Sequence, residues 1–572
     1  MVIAVAAAVA IVPLRFGLGF SCGHDFDFHL SSWFDALHSW RQGILYPHWA
    51  SSANFFAGEP RFVFYPPLTW MLGAALHTVF VWRHVAIALS FLLLFGIGLA
   101  VRTLGREVMN DAPATLAGCF ALLSAYTLFT VYERSDYAEL AGGIWIALLI
   151  TFALRDVLKP QGTHRPLLNG TAFPLAIVLA GAWLSNPTVG VMASYFFAAL
   201  ALCVAVTQRS WIPAARAAVA AALGLGLSAF YWLPAWWEQR WIAIHKAVSD
   251  PGERIESSFL FARHSGLELH DIELMKVSAI VVFMVGVSIL AVLLAWRRRA
   301  LAGARRWWIV LALIPPAVLL LQLPFSLPLW NALPELRFLQ FPWRWLVAVE
   351  APMAVLLAAA AWPRRRKAQV WVGVACAVFF LASASFAGIA FHQGCDPDDA
   401  VLGMAANYAH HVGFEGTDEY APPGADNDEV ATGLPDACLV ADPMEKLGGG
   451  DPDLTPEWSS DQKSCVATYR FEDGNAEHWR VHANIPHAGY LVLRLRRYPA
   501  WRVEVNGRPA GVDTAREDGL MAVAVPQGAV KVTVDWSTTP DVLAARWISG
   551  LSLLAGVGLW LLERGRVQAQ LK

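Results

Sequence analysis

The sequence predicts a polytopic α-helical membrane protein with a β-rich domain near its C-terminal end, and three observations carry that prediction. First, 56% of the 572 residues are hydrophobic and only 15% charged, and the apolar residues gather into long Leu/Ala/Val runs. A span needs about 20 apolar residues, and a backbone in lipid must satisfy its own hydrogen bonds as a helix or closed barrel. Uninterrupted runs of this length select helices. Second, a net charge of −2 hides an asymmetry: Arg and Lys cluster in short loops, whereas Asp and Glu concentrate between residues 395 and 475. Third, short stretches after residue 465 alternate apolar and polar residues with the period of a strand.

The apolar runs place about twelve spans, near 2–20, 84–102, 113–131, 140–157, 171–186, 189–207, 212–233, 276–296, 307–325, 344–362, 369–391 and 543–562. In this register Arg297-Arg298-Arg299 with Arg305-Arg306, Arg364-Arg365-Arg366-Lys367, and Arg564 with Arg566 all fall on one side. The positive-inside rule makes that side cytoplasmic, together with both termini. The first span contains Arg15 and follows no basic residue, so it lacks the charged start of a signal peptide, and its edges stay open, a start upstream included. The stretch Pro66 to Val81 is short for a span and reads as a juxtamembrane or re-entrant helix.

This register divides the chain into a transmembrane module, 1–391, an external, periplasmic domain, 392–541, and a last span with its cytoplasmic tail, 542–572. Two further outer segments are a long first loop, 21–83, and a medium loop, 234–275. The external domain is long enough for a core of its own. Runs at 465–469, 490–495, 502–505 and 530–534, separated by Asn506-Gly507 and Gln527-Gly528, predict an antiparallel β-sandwich in its second half. The Asp-, Pro- and Gly-rich first half reads as mostly loop. Cys119, Cys203 and Cys376 fall in spans as small core residues, and one pair among the external Cys395, Cys438 and Cys465 is a candidate disulfide. There is no internal repeat and no nucleotide-binding glycine loop, and no nucleic-acid partner is expected.

The residues that carry chemistry begin at Gly23-His24-Asp25-Phe26-Asp27-Phe28-His29, just after the first apolar run. A carboxylate at the bilayer centre costs roughly 2.5 to 3.5 kcal/mol, so Asp25 and Asp27 are expected outside the hydrocarbon. Asp25 is either a general base or the N-cap of a helix starting near Phe28. Glu139 either binds a divalent ion or acceptor, or bridges to Arg134. Arg337 and Arg344 bracket an aromatic loop, where a guanidinium fork suits phosphate oxygens, or where Trp343 and Trp345 make it an interfacial anchor. His24, His29, His38 and His48 match no closed zinc ligand set, although His29 is placed to orient Asp25. Glu59, Arg61 and Tyr65 in the first loop either line the path of an acceptor or are solvated. Trp232, Trp236, Trp237 and Trp241 either stack on sugars or anchor at the interface, and Asn186-Pro187-Thr188 reads as a tight turn. The metal requirement stays open.

Four blocks resemble a known family. They are Gly23-His24-Asp25 with Phe28-His29-Leu30, Gly43 to Trp49 and Tyr65-Pro66-Pro67-Leu68; Tyr132 to Glu139; Leu336 to Arg344; and Tyr498-Pro499-Ala500-Trp501 through Asn506-Gly507. Together they resemble the bacterial membrane proteins named 6-pyruvoyl-tetrahydropterin synthase-related and, more distantly, the YfhO-like proteins. The name-giving synthase is a small soluble zinc enzyme, and nothing in this chain supports pterin chemistry. The resemblance implies a GT-C-like fold in the bacterial inner membrane and transfer of sugar from a polyprenyl-phosphate donor to an envelope glycan, lipid or protein acceptor. It makes Asp25 the base, because Asp25 matches the Gly-His-Asp block, whereas Asp27 stands where the pattern tolerates other residues. A transporter or flippase of lipid-linked sugars and a non-catalytic assembly protein are the alternatives.

Overall fold

The computed structural model describes residues 1–13, 21–158, 172–300, 305–363, 365–430, 432–433, 435–444, 468–472, 474–513 and 516–570. Arg15, Arg364 and Cys465 lie outside these residues, as does the start of the first expected strand. Seven helices are long and apolar enough to cross a membrane: Trp82–Gly105, Tyr137–Arg155, Pro187–Gln208, Glu268–Arg297, Pro342–Ala361, Arg366–Ala390 and Pro540–Leu562. Three more candidates are bent pairs, so the count is seven, or ten if each pair is one span. Of the other expected spans, 2–20 is described as the nine-residue helix Val2–Ala10 and 171–186 as the fourteen-residue helix Ala172–Ser185. At 1.5 Å per residue both are shorter than a bilayer core of about 30 Å.

Close packing inside the helical body depends on small residues. Trp82–Gly105 crosses Asp111–Leu122 where Gly98 faces Gly118, and a Cβ on Gly118 would stand 2.4 Å from the Gly98 carbonyl oxygen. The Pro67–His77 helix lies against Phe26–Arg41, with Gly73 seated on the indole of Trp33.

The bends matter more for function. Asp111–Leu122 breaks by 41° into Ala125–Arg134, Ile212–Leu227 by 75° into Ala229–Trp241, and Arg305–Leu321 by 90° into Pro324–Ala332. Irregular backbone at membrane depth is tolerated only where protein buries it or a cavity borders it. Here one cavity collects all three breaks: Phe129 and Arg134 come from the first, Tyr231 and Trp232 from the second, and Phe338 to Arg344 follow the third.

The β region contains β1 (Ala437–Val440), β2 (Thr468–Phe471), β3 (His478–Ile485), β4 (Gly489–Arg496), β5 (Trp501–Val505), β6 (Arg508–Pro509), β7 (Val512–Asp513), β8 (Leu520–Val525) and β9 (Gly528–Trp536). They form two antiparallel sheets, ordered β1-β4-β8-β7 and β2-β3-β9-β5-β6. Alternate residues of both, including Val481, Leu491, Val523 and Val532, bury into one apolar cluster. Asn506 and Gly507, both at positive φ, turn β5 into β6. Cys395 is bonded to Cys22, 373 residues earlier, rather than to either of the other external cysteines. Cys438 is also disulfide-bonded.

Candidate active site

The segment 21–25 is positioned by backbone stitching. Cys22 is bonded to Cys395, its N–H donates to the Gln393 carbonyl (3.2 Å), and the Gln393 N–H donates to Ser21 Oγ (2.9 Å). On its other side the Asp25 N–H donates to the Arg134 carbonyl (2.9 Å), and Ser135 Oγ donates to the Ser21 carbonyl (2.9 Å). Gly23 makes this approach possible, since a Cβ there would stand 2.3 Å from the Glu133 carbonyl oxygen.

The facing segment is equally specific. Ala125–Phe129 runs into a π-helical turn, Thr130–Arg134; Ser135 then adopts φ +53, and Tyr137–Leu158 begins. Turns of this kind recur at functional sites. Asp136 stands before the new helix and accepts the Glu139 N–H through Oδ1 (2.8 Å). Arg134 therefore folds back among carboxylates, with Nη1 2.5 Å from Glu139 and Nη2 2.9 Å from Asp136 and 3.4 Å from Asp25. Its guanidinium lies 5.1 Å from the Trp343 ring centre. Arg344 adds a second cation, its Nε 3.5 Å from Glu139 Oε2 but outside hydrogen-bond geometry.

Three acids thus share two guanidinium groups, and two of the acids are pushed apart. Burial raises the Asp25 carboxyl and the Asp136 carboxylate adds to the rise, against the pull of Arg134, His29 and Arg344. Burial also raises Asp136, but there Arg134, His29 and Arg344 win and hold it below the usual carboxylate range. Unequal acids side by side mark a proton acceptor next to a fixed charge. Asp25 is the accessible member, with 39% of its side chain open against 6% for Asp136 and 1% for Glu139.

Asp25 opens into a cavity of about 1040 Å³, also lined by Tyr65, Arg134, Asp136 and Arg344. One wall is apolar and aromatic, with Trp183, Val191, Leu225, Trp232 and Phe341. A separate end carries Glu253, Glu335 and Glu419. Burial raises all three acids, Glu419 to about 7, with neighbouring acids adding to the rise at Glu253 and Glu419.

The residues singled out in the sequence divide sharply. Asp25, Tyr65, Arg134 and Arg344 face the cavity. Glu139 lies beneath it, one oxygen taken by the Tyr126 hydroxyl and the other by Arg134, which leaves no oxygen for a metal ion. His29 is buried among Trp33, Tyr65 and Tyr137 and points to Asp136 (3.9 Å) rather than to Asp25. Asp27 is exposed, and Arg337 pairs at the surface with Glu256 (2.6 Å). Glu59 and Arg61 are not solvated; they form a buried pair at 2.7 Å. Asp25 does occupy the N-cap position of Phe26–Arg41, but its side chain accepts no helix N–H. Sequence reasoning missed Asp136, although it sits inside the second block, because the longer-reaching Glu139 drew the catalytic reading.

A family model described as the 6-pyruvoyl-tetrahydropterin synthase related domain, a membrane protein, matches residues 62–394. The chain belongs to this family. The 6-pyruvoyl-tetrahydropterin synthase related region thus includes Tyr65, Arg134, Asp136 and Arg344 and ends beside Cys395, while Asp25 precedes it. No curated protein matches. Among solved structures, the Archaeoglobus fulgidus oligosaccharyltransferase, in complex with Zn and sulfate, is similar at 13% identity and a TM-score of 0.36. The match covers 69% of this chain and 54% of that one, so this chain spans about half of that enzyme's length.

Proposed function

We propose that this chain is a GT-C-like glycosyltransferase of the bacterial inner membrane, moving a sugar from a polyprenyl-phosphate donor to a hydroxyl of an envelope glycan, lipid or protein. The observation that carries the reading is a carboxylate with a raised pKa, Asp25, opening into a large cavity beside a guanidinium, Arg344, that makes no side-chain hydrogen bond to any described residue. Asp25 takes the proton of the acceptor hydroxyl, the acceptor oxygen bonds to the sugar's anomeric carbon from the face opposite the phosphate, and the bond from that carbon to the phosphate oxygen breaks. The lipid phosphate leaves with the electron pair, and Arg344 supplies a planar donor fork for its charge. Asp136 stays ionised and fixes Arg134. The apolar wall suits the first isoprene units, each buried methylene contributing about 0.8 kcal/mol.

The test is transfer of labelled sugar from polyprenyl-phosphate donors in proteoliposomes supplied with a membrane extract as acceptor source. Asp25→Asn is expected to lose about 10²- to 10⁴-fold in turnover, the usual contribution of a general base, while its melting curve matches wild type. Wild-type turnover in Asp25→Asn would remove Asp25 as the base, and absence of turnover by folded wild type with every donor would remove the transferase reading.

A further inference from the structure

Beyond the Asp25 cluster, one group of side chains is arranged to hold something that the proposed transfer does not call for. His264, His270 and Asp271 are, among the described residues, the one set of three metal-binding side chains whose ligand atoms all lie within 4.8 Å of one another. His264 precedes the helix Glu268–Arg297, and His270 and Asp271 stand near its start.

We infer that these three residues form a site for a divalent transition-metal ion of the zinc type, with three protein ligands and one open position. His264 Nδ1 and Asp271 Oδ1 stand 2.8 Å apart. Adjacent ligands of a tetrahedral ion with bonds of about 2.0–2.1 Å stand roughly 3.3 Å apart, so opening this contact by about half an ångström admits the ion. The groups that would ligate are already oriented from behind. Asp271 Oδ2 accepts the His264 backbone N–H (2.7 Å), and His270 Nε2 donates to the Ser257 carbonyl (3.0 Å), which leaves His270 Nδ1 with its lone pair free. A ligating histidine commonly gives its other ring N–H to a carbonyl in this way. On binding, the His264 proton moves from Nδ1 to Nε2, so both imidazoles ligate in the neutral form. Two imidazoles and one carboxylate suit zinc and its neighbours, not magnesium or calcium, which take oxygen sets. A set of three ligands is incomplete for zinc, and a closed structural site would have four. His270 also lines the cavity that holds Asp25, so the ion borders that cavity.

The test uses the full chain in detergent micelles, stripped of metal and titrated with Co²⁺ and then Zn²⁺. The expected result is one cobalt ion per chain, seen as a visible d–d band that Zn²⁺ displaces, and a rise in melting temperature with Zn²⁺. His270→Ala and Asp271→Asn are each expected to lose the band or weaken binding at least tenfold, whereas His24→Ala, altered in the same cavity, keeps it. A wild-type chain without a saturable band, or a band unchanged in both variants, overturns the site. Metal-free melting curves identify a variant that fails to fold, and His264→Gln then takes its place in the same comparison.

Discussion

Two buried ion networks lie near each other in this molecule, and they are built on opposite principles. In the first, Arg61 bonds Glu59 (2.7 Å), Ser31 Oγ (2.8 Å), Ser32 Oγ (3.0 Å) and the Phe28 carbonyl (3.4 Å). Glu59 in turn accepts from the Thr417 N–H (2.8 Å) and Asn54 (3.4 Å). Both side chains are sealed from solvent and neither lines the cavity. In the second network three carboxylates compete for Arg134 and Arg344, one of the three is open, and Arg344 Nε has no hydrogen-bond partner. A closed network fixes architecture by tying the first loop to residue 417. An open one, held off balance by its surroundings, has capacity left for a ligand and a proton.

Breaking the closed network has the largest expected effect. Arg61→Met leaves the Glu59 carboxylate buried without its cation, which costs about 3–5 kcal/mol; denaturant unfolding should register that loss, and Glu59→Gln added to Arg61→Met should recover part of it. If Arg61→Met melts like wild type, the contrast fails at its structural end. Opening the other network further should cost function and not fold. Arg344→Ala is expected to lower turnover by about 10²- to 10³-fold, the scale of losing one stabilising donor, with stability within about 0.5 kcal/mol of wild type.

The pH profile sharpens the contrast. Asp25 acts ionised, and its carboxyl is raised above the ordinary 3.8, so turnover should fall as pH drops through a midpoint above 3.8. Asp136→Asn removes a neighbouring negative charge and should move that limb to lower pH. The same shift has a cost in stability: the folded state holds the proton more tightly, so stability declines as pH rises from the unfolded value to the folded one and is level above it. An acid limb at or below 3.8 would contradict this account of Asp25. The smallest effect belongs to Asp27→Asn, an exposed change expected within about 0.5 kcal/mol in stability and without loss of turnover.

Much of this was legible from local pattern. Alternation marked β4, β5 and β9, and the blocks around Asp25, Arg134 and Arg344 converge on one cavity. What escaped was set by geometry that sequence spacing does not record. Three residues separate Asp136 from Glu139, yet the first caps the helix and faces the cavity while the second turns inward to Tyr126. The π-helical turn aims Arg134 without a Pro or Gly to announce it. Glu59 and Arg61 read as solvated loop residues because their partners, Ser31, Ser32 and Thr417, are remote in sequence.

The stitching of residues 21–25 to 393–395 has a consequence for biosynthesis. Asp25 is translated early, but the cysteine that pins its loop follows Cys22 by 373 residues, after most of the membrane helices. A ribosome stalled or a chain cleaved before residue 395 leaves the base present and its loop unanchored. Completion of the helical body is thus written into the site itself, and a truncated product carries the acid without the clasp that aims it.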